Sequence, residues 1–113
     1  LPPGEALRRL GELGGGAALE LLDEVPAYLA EKTTIVVRGL LAAIRAAGGK
    51  PAFALKSGTA DMNLVAPVWG CPAAAYGPGD SSLDHTPHEH ISLAEYRRSI
   101  EVLTRALRLW MQP

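Results

Sequence analysis

The sequence has little of what marks several large classes of protein. Its single cysteine, Cys71, cannot form an internal disulfide, which fits a reducing cytosol. No apolar run approaches the ~20 residues that span a bilayer. The formal net charge is −1, and the sequence has no basic stripe that would attract nucleic acid. We therefore expect a cytoplasmic protein that binds neither membranes nor nucleic acid.

What the sequence does contain is an alternation of capped amphipathic helices with short apolar runs, which predicts an α/β fold. With 113 residues the chain suits one domain with a modest core. Helices are expected near Glu5–Leu13, Thr34–Ala47 and Ser92–Leu109. Strands are expected near Ala17–Leu22, Pro51–Leu55 and Pro72–Tyr76.

The last helix has the clearest local signals. Ser92 and Glu95 have the spacing of a capping box, in which each side chain reaches the backbone of the other residue. An apolar stripe follows at spacings of three and four residues: Leu93, Tyr96, Ile100, Leu103, Leu107 and Trp110. The stripe fits a coiled-coil seam or a helix packed on a sheet. The second is favoured because the pattern is short for a stable coiled coil.

The candidate site segment runs from Lys56 to Ile91 and holds all three histidines and the only cysteine. The loop Ser57–Asp61 follows a predicted strand, and ligands of α/β sheets bind beyond the carboxyl ends of strands. It could hold an anion with its backbone N–H groups, or be an ordinary turn. Cys71 is interpreted as a small buried apolar residue rather than a nucleophile.

The densest polar stretch of that segment is Asp84–His90. Neutral imidazole binds zinc, and its second nitrogen takes a carboxylate or carbonyl partner, for which Asp84 and Glu89 are candidates. Pro87 excludes the helical zinc motif His-Glu-x-x-His. One loop rarely closes a metal site alone, so metal ligation and a solvated polar loop both remain open from the residues themselves.

Two stretches together, Lys56–Asn63 (KSGTADMN) and Tyr76–Ile91 (YGPGDSSLDHTPHEHI), resemble the C-terminal part of the di-metal deacylases. This group includes acetylornithine deacetylase, succinyl-diaminopimelate desuccinylase and the aminoacylases. The similarity is greatest to hydrolases that free lysine or ornithine from an amino-group carrier protein in lysine and arginine biosynthesis. It implies a zinc-peptidase-like three-layer α/β catalytic domain with an α+β lid that also mediates dimerisation.

The resemblance also implies roles for individual residues. His85 falls on a histidine that completes a two-zinc site, with cobalt as an alternative metal. Gly58 and Thr59 match the loop that lines the substrate pocket, and Ser81 lies where a residue often touches substrate. His88 stands where asparagine is common and receives no ligand role. The substrate would be an N-acyl amino acid or the carrier protein, and the assembly a homodimer or higher.

By the same resemblance, residues 1–26 are a remnant of the lid, 27–32 a connector and 33–113 the C-terminal part of the catalytic domain. The chain opens on Leu1-Pro2-Pro3-Gly4, a strand end turning into a helix, which indicates a fragment of a longer protein.

The sequence departs from that family by having no His-x-Asp and no Glu-Glu motif, which supply the other ligands and the general base. In that chemistry two metal ions polarise the amide carbonyl and lower the pKa of a bridging water, whose proton the glutamate takes. We therefore expect no catalytic residue in this chain and no activity from it alone. The alternatives are a small ligand- or metal-binding module and a dimerisation module without catalysis.

Overall fold

The computed structural model describes residues 2–112 and contains four α-helices in that range. They are α1 (Pro3–Leu13), α2 (Ile35–Ala46), α3 (Met62–Trp69) and α4 (Leu93–Trp110), with a 3₁₀ turn at Ser81–Leu83. The chain divides into two compact units. The first comprises Leu1–Leu29 and Leu55–Cys71, and the second Ala30–Ala54 and Pro72–Pro113. Within the described range, no helix combines the length and apolar content that crossing a membrane requires.

Helices α2 and α4 both begin after a hydroxyl residue that caps the first turn, and the cap of α4 is the Ser92 that the sequence predicted. The Thr34 hydroxyl accepts the backbone N–H of Val37 at 3.3 Å, and the Ser92 hydroxyl accepts that of Glu95 at 3.5 Å. Each bond satisfies a backbone N–H that the first helical turn leaves without a partner. Gly48 follows α2 with φ +77°, the left-handed conformation that glycine adopts without a Cβ clash.

The core of the second unit lies between α2 and α4. Its buried members are Leu40 and Ala43 from α2, and Val102 and Ala106 from α4. The extended segment before the site loop adds Ala74 and Tyr76, which pack against this core half-buried. Burial of these side chains is what holds α2 and α4 together, because apolar area removed from water contributes about 25 cal/mol per Å².

A small residue allows an unusually close contact between the same two helices. A Cβ added to Gly39 would come within 2.1 Å of Trp110 Nε1, so only glycine lets the indole lie there. The indole N–H donates to the carbonyl of Ile35 at 3.3 Å. Trp110 therefore ties the end of α4 to the start of α2.

The first unit contains α1 and α3. Helix α1 begins at Pro3, whose fixed φ suits the first helical position, and it buries no residue. Exposed ion pairs join Arg8 to Glu12 and Arg9 to Glu5, and such pairs contribute about 0–1 kcal/mol each. The sequence did not predict α3, which contains Pro67 and ends at Gly70 with φ +60°.

The three predicted strands are not present as strands in residues 2–112, where no β-ladder is found. Segments 17–22, 51–55 and 72–76 are extended or irregular instead. A strand needs a neighbour to accept and donate its backbone hydrogen bonds, and the described residues provide none for these segments. The α/β layering expected from the sequence is therefore not seen in this part of the chain.

The absence of a sheet among the described residues leaves one face of α4 uncovered. Leu93, Tyr96, Ile100, Leu103 and Leu107 of the predicted stripe are exposed, whereas Trp110 packs on the core. The buried face of α4 is a different one, formed by Ser99, Val102 and Ala106. Helix α4 thus has two apolar faces, and only one of them is covered in the described chain.

Candidate functional site

The loop between Tyr76 and α4 contains the 3₁₀ turn Ser81–Leu83, and Asp80 caps the start of that turn. The Asp80 carboxylate accepts the backbone N–H of Ser82 at 2.9 Å, and the Leu83 N–H donates to the Asp80 carbonyl at 3.0 Å. The bond from Ser82 lowers the pKa of the Asp80 carboxyl, and the charge of His90 lowers it further. Ser81, a predicted substrate-binding residue, is exposed in this turn.

His85 follows this turn in an uncommon backbone conformation. Its φ is +62°, and no other non-glycine residue in the described range has a positive φ. The left-handed conformation costs a residue with a Cβ roughly 1–2 kcal/mol, although histidine is enriched among the exceptions. The backbone N–H of His85 donates to Glu89 Oε2 at 2.9 Å. The side chain is exposed, so its imidazole is accessible to a ligand.

The residues after His85 are held by hydrogen bonds within the loop. The Thr86 hydroxyl donates to the Leu83 carbonyl at 2.8 Å, and the Glu89 N–H donates to the Thr86 carbonyl at 3.1 Å. His90 Nδ1 lies 2.6 Å from the His88 carbonyl oxygen. Because a carbonyl only accepts, Nδ1 of His90 carries the proton and is engaged.

The loop Ser57–Asp61 lies in the first unit and is anchored by Asn63. Asn63 Oδ1 accepts the backbone N–H of Ala60 at 3.0 Å, while its Nδ2 donates to the Pro26 carbonyl at 2.9 Å. Asn63 is buried, whereas Gly58 and Thr59 are exposed. This anchoring role could not be predicted from the sequence, because the partner of Asn63, Pro26, lies far away along the chain.

The four predicted site residues therefore fall in two separate units. Gly58 and Thr59 belong to the first, and Ser81 and His85 lie on the same loop of the second. A common cleft for Ser57–Asp61 and His85 stays a prediction.

The described residues do not form a metal site by themselves. In the range 2–112 no three side chains of histidine, cysteine, aspartate or glutamate come together to hold an ion. Tetrahedral zinc takes four ligands, and catalytic sites draw three of them from the protein. His85 can supply one ligand, and the residues that the structure describes bring no complete set to it.

A shallow pocket of about 200 Å³ lies beside the loop in the second unit. It is lined by Tyr76, Gly77, Pro78, Gly79, Glu95 and Arg98. Burial raises the pKa of the Tyr76 phenol, and the charge of Arg98 partly opposes that rise. Cys71, in the first unit, is a free, half-buried thiol.

The depressed pKa of Asp80 predicts how the turn responds to acid. A carboxyl whose pKa is lower in the folded state stabilises the fold above its ordinary value of 3.8, and this contribution is lost as the pH falls through the lowered pKa. We expect the Ser82 amide resonance to titrate with a midpoint below 3.8 in NMR spectra. In Asp80→Asn the amide oxygen keeps accepting the bond without titrating, so this transition should vanish. A midpoint at or above 3.8 would contradict the prediction.

A protein family and several known proteins are similar to this chain over most of its length. The sequence profile described as Peptidase family M20/M25/M40 matches residues 13–109. A Deinococcus radiodurans protein named "[LysW]-lysine hydrolase" is 51% identical over 94 residues, which are 83% of this chain and 26% of that protein. A relative from Pyrococcus horikoshii is 52% identical over 89 residues, 79% of this chain and 27% of its own length.

A more distant relative extends the comparison. The "[LysW]-lysine/[LysW]-ornithine hydrolase" of Saccharolobus solfataricus is 35% identical over 95 residues, 83% of this chain and 27% of that protein. The chain thus spans about a quarter of the length of the curated relatives it matches.

Proposed function

The chain belongs to Peptidase family M20/M25/M40, and on that premise we propose that it forms part of a metal-dependent amidohydrolase. Its substrate would be lysine or ornithine joined by an amide bond to LysW, the carrier to which the relatives' names refer. Hydrolysis adds one water across the amide, so that the C–N bond breaks, the amine leaves with the amino acid and the carboxylate stays with the carrier. We also propose a cytoplasmic location, consistent with the lone cysteine.

One observation carries the proposal. Over 83% of the chain, half of the residues are identical to those of a protein named for this activity. Both motif stretches, Lys56–Asn63 and Tyr76–Ile91, lie within the range that the family profile matches.

Within such an enzyme we propose His85 as one ligand of a two-zinc centre, with cobalt as an alternative metal. The remaining ligands and the general base would come from residues outside this sequence, because the described residues form no complete set. Gly58 and Thr59 would line the substrate pocket with their exposed loop, and Ser81 would contact substrate from the turn that precedes His85. No residue of this chain is proposed as catalytic.

The uncovered surfaces support a proposal for the complete fold. Segments 51–55 and 72–76 would pair with strands from the rest of the enzyme, giving the three-layer α/β catalytic domain. The exposed stripe of α4, Leu93 to Leu107, would pack on that sheet. Residues 1–26 would belong to the lid, 27–32 to a connector and 33–113 to the C-terminal part of the catalytic domain.

The test is a chimera in which this sequence replaces the matching quarter of the Deinococcus radiodurans relative. We expect the chimera to release free lysine or ornithine from the corresponding LysW conjugate, measured by amino-acid analysis against unmodified carrier. The 113-residue chain alone should release none. A folded chimera that releases neither lysine nor ornithine, while the unmodified relative is active in the same assay, would overturn the proposal.

The chain alone is expected to self-associate, as a dimer or a larger species. Leu19, Leu21 and Leu22 in the first unit and the α4 stripe in the second are exposed apolar surface, which promotes association when it is contiguous. Sedimentation velocity over a concentration series should show species heavier than the monomer. The double variant Leu21→Lys with Leu22→Lys should shift the distribution toward monomer if the first surface contributes. A monomer at every concentration would contradict the prediction.

A further inference from the structure

We propose that Glu89 is a positioning residue for His85, holding the backbone turn from which the imidazole projects. This inference rests on the proposed function, since it assigns to Glu89 the task of orienting the proposed metal ligand. The central observation is the hydrogen bond of 2.9 Å from the His85 backbone N–H to Glu89 Oε2. The bond engages the backbone and leaves both ring nitrogens of His85 uninvolved.

The conformation of His85 is one that needs external support. A residue with a Cβ is strained at φ +62° because the Cβ approaches the following carbonyl oxygen. Such conformations persist only where the surrounding structure over-determines them, and they cluster at functional sites. The carboxylate of Glu89 is an ionised acceptor, and charge-assisted bonds of this kind are roughly twice as strong as neutral ones.

Glu89 is itself fixed to the turn that it supports. Its backbone N–H donates to the Thr86 carbonyl at 3.1 Å, and Thr86 is in turn joined to Leu83 through both its N–H and its hydroxyl. Hydrogen bonds thus link Leu83 to Thr86, Thr86 to Glu89 and Glu89 to His85, all within this loop. Changing Glu89 should release His85 without disturbing the rest of this path.

His85 lies in neither a helix nor a strand. The 3₁₀ turn ends at Leu83 and α4 begins at Leu93, so His85 lies in the loop between them, where a hydrogen bond within the loop holds its backbone N–H. Sites on loops are less precise than sites on helices or strands unless supporting hydrogen bonds lock them. The hydrogen bond that Glu89 accepts supplies that support for His85, the proposed metal ligand.

Two other roles for Glu89 make different predictions. If its negative charge acted directly on a metal or substrate, neutralisation to glutamine would be as harmful as truncation to alanine. If Glu89 only stabilised the fold, its substitution would lower the melting temperature, and activity would fall in proportion to that loss of stability. A positioning role requires an acceptor oxygen at the right reach, which Glu89→Gln keeps and Glu89→Ala removes.

The first measurement is made on the 113-residue chain by amide hydrogen exchange. The His85 N–H should be protected in the unsubstituted chain and in Glu89→Gln, and should exchange faster in Glu89→Ala. Glu101→Ala is the matched control, because Glu101 is an exposed carboxylate of the same unit that contacts Arg105 and not His85. Equal exchange of the His85 amide in all four chains would overturn the proposal.

The second measurement uses the chimera with the Deinococcus radiodurans relative. Glu89→Ala should lower zinc affinity and kcat together by about 10–100-fold, the usual effect of removing a residue that orients a metal ligand. KM and melting temperature should stay near those of the parent, and Glu89→Gln should retain most of the activity. If Glu89→Gln falls as far as Glu89→Ala, the charge acts directly and positioning is wrong.

The two measurements separate the two hypotheses. An inactive parent chimera would defeat the proposed function, and the exchange rates would still decide whether Glu89 holds His85. An active parent chimera with full activity and zinc affinity in Glu89→Ala would defeat the positioning role and leave the proposed function standing.

Discussion

His85→Ala in the chimera should lower kcat/KM by at least about 100-fold. Removal of a residue that only orients a metal ligand costs up to about 100-fold, and removal of the ligand itself should cost at least as much. The reason is that the side chain itself would be a ligand, and a catalytic zinc has only three ligands from the protein. Zinc content after dialysis should fall with activity, whereas the melting temperature of the metal-free chimera should stay near that of the metal-free parent, because the side chain is exposed.

The neighbouring histidines provide the control. Nδ1 of His90 is engaged by the His88 carbonyl, and neither residue is proposed as a ligand. His88→Ala and His90→Ala should therefore leave most of the activity and zinc in place. Full activity in His85→Ala, or an equal loss in all three variants, would show that His85 has no special role.

The second large effect concerns stability. Leu40→Ala should destabilise the 113-residue chain by about 2–5 kcal/mol, because it removes a buried side chain and leaves a cavity between α2 and α4. Leu40 is 6% exposed and lies in the core with Val102. The free energy of unfolding is measured by urea titration followed by circular dichroism, at a concentration where the chain is monomeric.

The matched substitution is Leu93→Ala in α4, where the leucine is 71% exposed. Surface changes of this kind usually stay within roughly 0.5 kcal/mol. Equal destabilisation by the two variants would mean that the packing of α2 on α4 does not hold the second unit together.

The helices of the second unit were predictable because their signals are local. Thr34 and Ser92 mark the first turns, and α2 and α4 begin within a residue of the predicted positions. Capping and apolar periodicity act within a few residues along the chain. The confirmed family likewise followed from two contiguous motif stretches, which a sequence displays directly.

The prediction of three strands was wrong for the described residues, because the pairing of one strand with another is not a local property of the sequence. Apolar runs such as 51–55 indicate that a segment favours an extended backbone, but a strand exists only beside another. Helix α3 was missed for the opposite reason, since Pro67 and Gly70 are usually signs of a loop.

The sequence indicated candidate residues for the site but not their geometry. The resemblance of the histidine-rich stretch to the family motif assigned a ligand role to His85, which stays a prediction, and Glu89 was a candidate for its support. The sequence did not show that the carboxylate would hold the backbone of His85 rather than its ring, because that depends on the left-handed turn. Nor could it show that Asn63 would fix the Ser57–Asp61 loop through Pro26.

The most direct test is a crystal structure of the zinc-loaded chimera. We expect a ring nitrogen of His85 within zinc-bonding distance, about 2.0–2.1 Å, with the Ser57–Asp61 loop facing the same cleft and the remaining ligands supplied by the Deinococcus radiodurans portion. A zinc centre complete without His85, or His85 pointing away from a fully occupied site, would contradict the assignment.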